Sequence, residues 1–289
     1  MYRPILITDL DNTLYNWVDY FAPSFRGMVH AISREMNLDE EKIYSGFKEV
    51  FKKRGSLEYS FSIQELPFIE KFTKEQIEKL VALGQRVFSM VRSKNLIPYP
   101  EVQQTLQYLF NHGVLIIGMT NAPIYHGEAR LKQLHIDKYF YGIGGWAGHP
   151  IPNDKYTIDI STKAAKGGYH SPSITKRWSF PKDELKPNPF AYLTIINELK
   201  ASHKETYVIG DSVGKDVVPA KEIGAIAIWA EYGTKYEKKN FNTLLKITHW
   251  DSKKIKSTYK EKSIEPDFTV DSFSQLKSII DPPQLRLFE

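Results

Sequence analysis

Four short runs of apolar and β-branched residues, at 5–7, 114–119, 206–209 and 225–229, recur along the chain. They are too short for core helices and too uniformly apolar for half-exposed strands, so they predict strands of a parallel sheet buried on both faces. Parallel neighbours need crossovers, and the chain supplies helical stripes for them. Val102, Leu106, Leu109 and Phe110 make one; Tyr192, Leu193, Ile196 and Leu199 make another; further helices are expected near 217–223 and 274–280, with a last strand at 267–270. The alternation predicts an α/β fold with a doubly wound parallel sheet.

One long stretch breaks the alternation. Phe21, Phe25, Met28, Val29, Ile32 and Met36 share a helical face, as do Ile43, Phe47, Val50 and Phe51, and then Ile77, Leu80, Val81, Val87, Phe88 and Val91. Thr73 with Gln76 is the capping-box start of the third stripe. Residues 16–95 are therefore expected to form an all-helical unit inserted after the first strand of an α/β core made of 1–15 and 96–289. Two segments of that core fit neither pattern: 146–183, a hairpin-bearing insertion or loop, and the lysine-rich 235–262. The glycine-rich "GIGGW" at 142–146 lacks dinucleotide-fingerprint spacing.

With no cysteine, disulfides and thiolate metal sites are excluded, and the eight histidines show no zinc-type spacing. No run approaches the ~20 apolar residues that span a bilayer, so the expectation is a soluble, cytoplasmic protein without membrane partners. The net charge of +5 is local: 235–262 carries nine lysines against three acids. A solvated face explains it better than a nucleic-acid surface.

The first strand ends on acids, "PILITDLDNTLY", with Asp9 and Asp11 separated by one leucine. In an extended chain both would point the same way, and ligands of parallel sheets bind beyond the carboxyl ends of the strands. Three further polar clusters stand at strand ends or helix starts: Thr120-Asn121, Lys186-Pro187-Asn188-Pro189, and Gly210-Asp211-Ser212 with Asp216. The order D-x-D-x-T, T-N, K-P-x-P, G-D-S-x-x-x-D resembles the haloacid dehalogenase (HAD) superfamily of phosphohydrolases, phosphoglycolate phosphatase-like members included. The resemblance covers roughly 2–15 and 102–229, and the helical insertion resembles that family's cap in position and kind.

The resemblance implies a Rossmann-like core and a Mg²⁺-dependent phosphatase acting on a small organic phosphate ester through an aspartyl-phosphate. By it, Asp9 is nucleophile and metal ligand. Asp11 is general acid and base and lends the metal its backbone carbonyl, and Asp211 is the third ligand. Thr120 and the backbone near Asn121 bind phosphoryl oxygens, Lys186 compensates their charge, and Thr13, Asn121 and Asp216 stand behind them. These residue types suit the chemistry, because a carboxylate can approach a phosphate polyanion only where cations screen the repulsion. Substrate choice is expected from the cap, where "FKKRGSLEYSF" at 51–61 reads as a non-helical recognition loop offering Lys53, Arg54 and Tyr59, or equally as an ordinary connection between helices. A phosphomutase or phosphotransferase of the same fold, and a non-enzymatic binder of an anionic partner, are the other readings; oligomeric state is not fixed by the sequence.

Overall fold

The computed structural model describes residues 3–151, 170–248 and 264–280. Seven strands form one sheet in the order β4-β3-β2-β1-β5-β6-β7: β1 (Ile5–Asp9), β2 (Leu115–Pro123), β3 (Gly142–Trp146), β4 (Lys176–Phe180), β5 (Thr206–Gly210), β6 (Ile226–Ala230) and β7 (Phe268–Val270). Each neighbouring pair is parallel. The chain winds outward from β1 through β2 and β3 to β4, then returns to the other side of β1 with β5. The order thus reverses at β1, which places the ligand crevice of such a sheet beyond its carboxyl end. All five residues of β1 are buried.

Between β1 and the next strand lie α1 (Trp17–Met36), α2 (Glu40–Arg54), α3 (Lys74–Asn95) and α4 (Val102–Asn111). Their ends follow from capping chemistry. Asn16 and Asp39 accept backbone N–H groups at the starts of α1 and α2, Thr73 and Gln76 form a reciprocal capping box on α3, and Gly55 closes α2 at φ +64°. Phe21, Phe25, Phe47 and Phe51 interlock through stacked and edge-on rings. Beyond β2 come α5 (Ile124–Gln133), α6 (Phe190–Glu198), α7 (Val218–Glu222), α8 (Lys238–Ile247) and the one-turn α9 (Leu276–Ile279). One apolar cluster runs without a break from α1–α3 to one face of the sheet, and a second fills the other face around Ile7, Ile117, Trp178 and Ile195.

Four expectations need correction. The 146–183 segment carries no hairpin among its described residues: β4 lies parallel to β3 at the sheet edge, and "GIGGW" is β3 itself. As an edge strand buried on one face only, β4 alternates exposed and buried residues instead of forming an apolar run. The presumed recognition loop starts too early, since 51–54 complete the last turn of α2. The lysine-rich segment opens with a helix, α8, which buries Asn240, Thr243, Leu244 and Ile247 and directs its lysines outward. The expected 274–280 helix is a short 3₁₀ turn followed by α9. The parts of these two segments at 152–169 and 249–262 lie outside the described residues.

Candidate active site

Asp9 is the last residue of β1, and its side chain is set by its own backbone: Oδ1 accepts the Leu10 N–H at 2.8 Å. The chain then turns instead of staying extended. Thr13 and Leu14 donate their N–H groups back to the Leu10 carbonyl, and Asn12 takes φ +59°. The turn removes the extended chain on which the two acids would point the same way.

Asp9 Oδ1 lies 2.7 Å from the Lys186 ammonium, which is also 2.7 Å from Asp216 Oδ1. Asp216 is further held by the Ser212 N–H at 3.2 Å and the Tyr192 hydroxyl at 3.4 Å. Gly210 makes room for it: a Cβ there would stand 2.1 Å from the Asp216 carboxyl carbon, so only glycine lets the strand end pass over that carboxylate. Asp211, at the end of β5, receives the Asn12 amide at 3.4 Å, and its carbonyl receives the Trp229 indole N–H at 2.9 Å.

Carboxylate oxygens of Asp9, Asp211 and Asp216 all lie within 4.8 Å of one another. All three residues are buried, and one ammonium, Lys186, makes ion pairs inside the cluster. Burial raises Asp9 well above the usual carboxylate range. Lys186 pulls the other way without overcoming burial, and Asp216, Asp211 and Asp11 add repulsion. Burial, then the charge of Asp216, pushes Asp211 up to about 7. Burial alone would lower Lys186, but Asp216 and Asp9 hold it well above the usual lysine range. Lys186 pairs with Asp9 and Asp216, and Lys215 also acts on Asp211, yet Asp9 and Asp211 both stay above the usual carboxylate range. A hard divalent cation is the natural remedy, since it takes oxygen donors of this kind. Asp216 has both oxygens bonded, Oδ1 to Lys186 and Tyr192 and Oδ2 to the Ser212 N–H, whereas the bonds of Asp9 to Lys186 and to the Leu10 N–H both fall on Oδ1.

Asp11 faces other company. Its Oδ1 receives the Tyr15 hydroxyl at 2.8 Å and Arg130 Nη1 at 2.8 Å; its Oδ2 lies 3.2 Å from the same Nη1 and 3.4 Å from Thr120 Oγ1. Thr120 Oγ1 in turn accepts the Ala122 N–H at 3.0 Å, and the Asn121 amide donates to the Lys186 carbonyl at 2.7 Å. Thr13 is buried, with its carbonyl receiving the Tyr232 hydroxyl at 2.6 Å. The strand-end clusters of β1, β2 and β5 and the Lys186 loop thus converge on one crevice.

The three cap residues sit as follows. Lys53 is exposed on the last turn of α2. Arg54 pairs with Glu65 and sits 4.9 Å over the Tyr59 ring, while the Tyr59 hydroxyl donates to Glu65. These contacts lie within the cap loop, while Lys182 donates to the Gly55 carbonyl at 2.9 Å and Tyr59 sets its ring edge-on to His149.

A family model described as HAD-hydrolase-like matches residues 185–276, the span that holds Lys186, Asp211 and Asp216. The chain is 25% identical to a glyceraldehyde 3-phosphate phosphatase of Methanocaldococcus jannaschii, over 77% of this chain and 82% of that protein. The likeness on both counts is to HAD-like hydrolases. A second relative, the glyceraldehyde 3-phosphate phosphatase of Methanopyrus kandleri, is 22% identical over 80% of this chain and 85% of its own length. Among solved structures, 2-haloacid dehalogenase from Pseudomonas syringae pv. Tomato matches with a TM-score of 0.56 at 18% identity, covering 97% of this chain and 98% of that one; the likeness is one of fold.

Several residues at the site escape a motif reading. Arg130 is one: Gly127, Leu131 and Leu134 mark the core-facing stripe of α5, and a charge beside them at 130 was the available signal. Glu58, the second carboxylate on Arg130, had no periodic signal. Gly233 is another, since a Cβ there would collide with the Asn12 carbonyl and crowd Asp211. It backs both residues closely from the turn after β6.

Proposed function

We propose that this HAD-like phosphatase hydrolyses a small organic phosphate monoester with Mg²⁺ and through an aspartyl-phosphate. The observation that carries the reading is the buried group of Asp9, Asp211 and Asp216 around Lys186 at the reversal point of the sheet. Asp9 and Asp211 would hold the ion, together with the Asp11 backbone carbonyl. When bound, the ion screens the carboxylate from the phosphate and draws off charge from the phosphoryl oxygens.

Asp9 attacks phosphorus in line, forming the carboxyl–phosphorus ester bond as the bond to the leaving oxygen breaks. Asp11 gives its proton to that oxygen, then takes one from the water that cleaves the aspartyl-phosphate, so phosphate leaves and both carboxylates return to their starting state. Lys186 and the Thr120 hydroxyl supply fixed positive charge and a hydrogen bond to the transferring group, and Asp216 keeps the ammonium aimed. Among small phosphates, glyceraldehyde 3-phosphate is the first to test, because two relatives over most of their length carry that name.

The test is phosphate release from a panel of triose, sugar and glycolate phosphates with Mg²⁺, with Ca²⁺, and in chelator. Mg²⁺ should support turnover, Ca²⁺ poorly because its longer, more numerous bonds loosen the aim of Asp9, and chelator not at all. Asp9→Asn should lose roughly 10³-fold or more. Full activity in chelator, or in that variant, would overturn the mechanism.

A further inference from the structure

Arg130 is 4% exposed, yet it is a guanidinium in the interior. A buried cation of this kind costs several kcal/mol unless carboxylates surround it. Two do, and they come from different parts of the fold. Nη1 reaches both oxygens of Asp11, on the loop after β1, while Nη2 is on Glu58, in the turns that follow α2. Glu58 is itself anchored by the Trp17 indole N–H at 3.1 Å and by its own N–H on Ser56 Oγ at 3.1 Å. The Tyr20 ring lies 5.6 Å from the guanidinium, and Tyr15 completes the shell on the Asp11 side.

We propose that Arg130 is a positioning residue which makes the alignment of Asp11 depend on the docking of the cap loop through Glu58. The inference rests on the reading of Asp11 as the proton donor. An arginine fork prefers two parallel bonds to one carboxylate. With Glu58 in place, the fork is divided: one nitrogen serves Asp11 and the other serves the cap. Remove Glu58, by opening the loop or by substitution, and the second nitrogen turns to the nearest remaining carboxylate, which is Asp11. Asp11 then meets both nitrogens of the fork instead of Nη1 alone, and its carboxylate is drawn toward the guanidinium and away from the leaving group. Proton transfer is thereby tied to a closed cap, which also excludes water from the intermediate.

Three readouts separate this from a merely structural ion pair. Glu58→Gln should lower kcat for an alkyl phosphate by roughly ten- to a hundredfold, the usual weight of a general acid, with KM nearly unchanged. The first-turnover release of p-nitrophenolate from p-nitrophenyl phosphate, whose leaving oxygen needs no proton, should keep close to its original rate, while the first-turnover rate on the alkyl phosphate falls. In an Arg130→Lys background, where the fork is gone, Glu58→Gln should add little further loss. Hydrogen exchange of the amides at 55–61 should quicken in Glu58→Gln and in Arg130→Lys alike. Equal loss of the first-turnover rate on both esters, additive losses, or unchanged exchange would each overturn the proposal. A wild type inactive on every phosphate would instead defeat the phosphatase reading, and the exchange experiment would still decide whether Arg130 holds the loop.

Discussion

Asp9 and Asp11 stand two residues apart on one loop, yet they live in opposite surroundings. Asp9 shares its lysine with a second carboxylate and faces a third, all buried. Asp11 has a guanidinium and a tyrosine hydroxyl bonded to one oxygen and no carboxylate among its bonded neighbours. The difference begins with the backbone turn at Asn12, which sends neighbouring side chains to different partners. It teaches that a motif specifies positions, while the charges brought by remote segments specify roles. Burial leaves Asp9 above the usual carboxylate range, which suits the nucleophile and cation ligand proposed here; Asp11 is bonded to Arg130, which also meets Glu58 of the cap.

The sharpest way to break that comparison is to remove Lys186. Lys186→Met leaves Asp9 and Asp216 buried without their shared ammonium, and losing one partner of a buried ion pair costs about 3–5 kcal/mol. Asp9→Asn removes a carboxylate whose pKa the fold raises, so that the folded state is penalised for keeping it ionised once the pH passes its unfolded value. Its stability at neutral pH should equal or exceed wild type. Denaturant unfolding of both variants checks this: a Lys186→Met protein as stable as Asp9→Asn would mean that the site is not short of positive charge.

Much of this was legible because β1, β2 and β5 are buried on both faces, and a fully buried strand announces itself as an apolar run ending where polarity begins. Asp9, Thr120 and Asp211 stand at such ends. β4 was missed since its outer face is exposed, and β3 since "GIGGW" holds a single branched residue. Arg130 and Glu58 were missed for a different reason. Their meaning lies in a contact 72 positions apart along the chain, and neither position carries a motif of its own.

Glu128 sharpens the comparison as a carboxylate that is compensated in full. It lies two residues from Arg130 on α5, wholly buried, and receives Arg177 Nε at 3.1 Å, His170 Nδ1 at 2.6 Å and the Ser171 N–H at 2.5 Å. Burial alone would raise it; the hydrogen bonds from Arg177, His170 and Ser171 outweigh burial and hold it below the usual range. Its folded pKa being depressed, its stabilisation is complete above the unfolded value of about 4.5 and is lost as pH falls through the folded one. Glu128→Gln should therefore cost about 1–3 kcal/mol near neutral pH, and the gap from wild type should close on acidification below ~4.5. A gap independent of pH would show that shape, not charge, is what Glu128 contributes.

The smallest effect expected is in the cap loop, and it decides between two uses of the same residues. Were Lys53 and Tyr59 in contact with the leaving group, their replacement would lower kcat/KM for the preferred phosphate roughly ten- to a hundredfold and spare p-nitrophenyl phosphate. Their surroundings favour the other use. Lys53 is exposed on the last turn of α2, while Tyr59 is buried and gives its hydroxyl to Glu65 beneath the Arg54 guanidinium. Lys53→Ala should leave kcat/KM for both esters within about twofold, as exposed substitutions remote from named features do. Tyr59→Phe keeps the ring against His149 but strands one acceptor of Glu65, which should cost about 1 kcal/mol of stability with little change in ester preference. Steady-state rates on both esters, set beside unfolding midpoints, read the two uses separately. A loss confined to the preferred phosphate would return Lys53 or Tyr59 to the substrate site, whereas a loss confined to stability makes the loop the scaffold that presents Glu58 to Arg130.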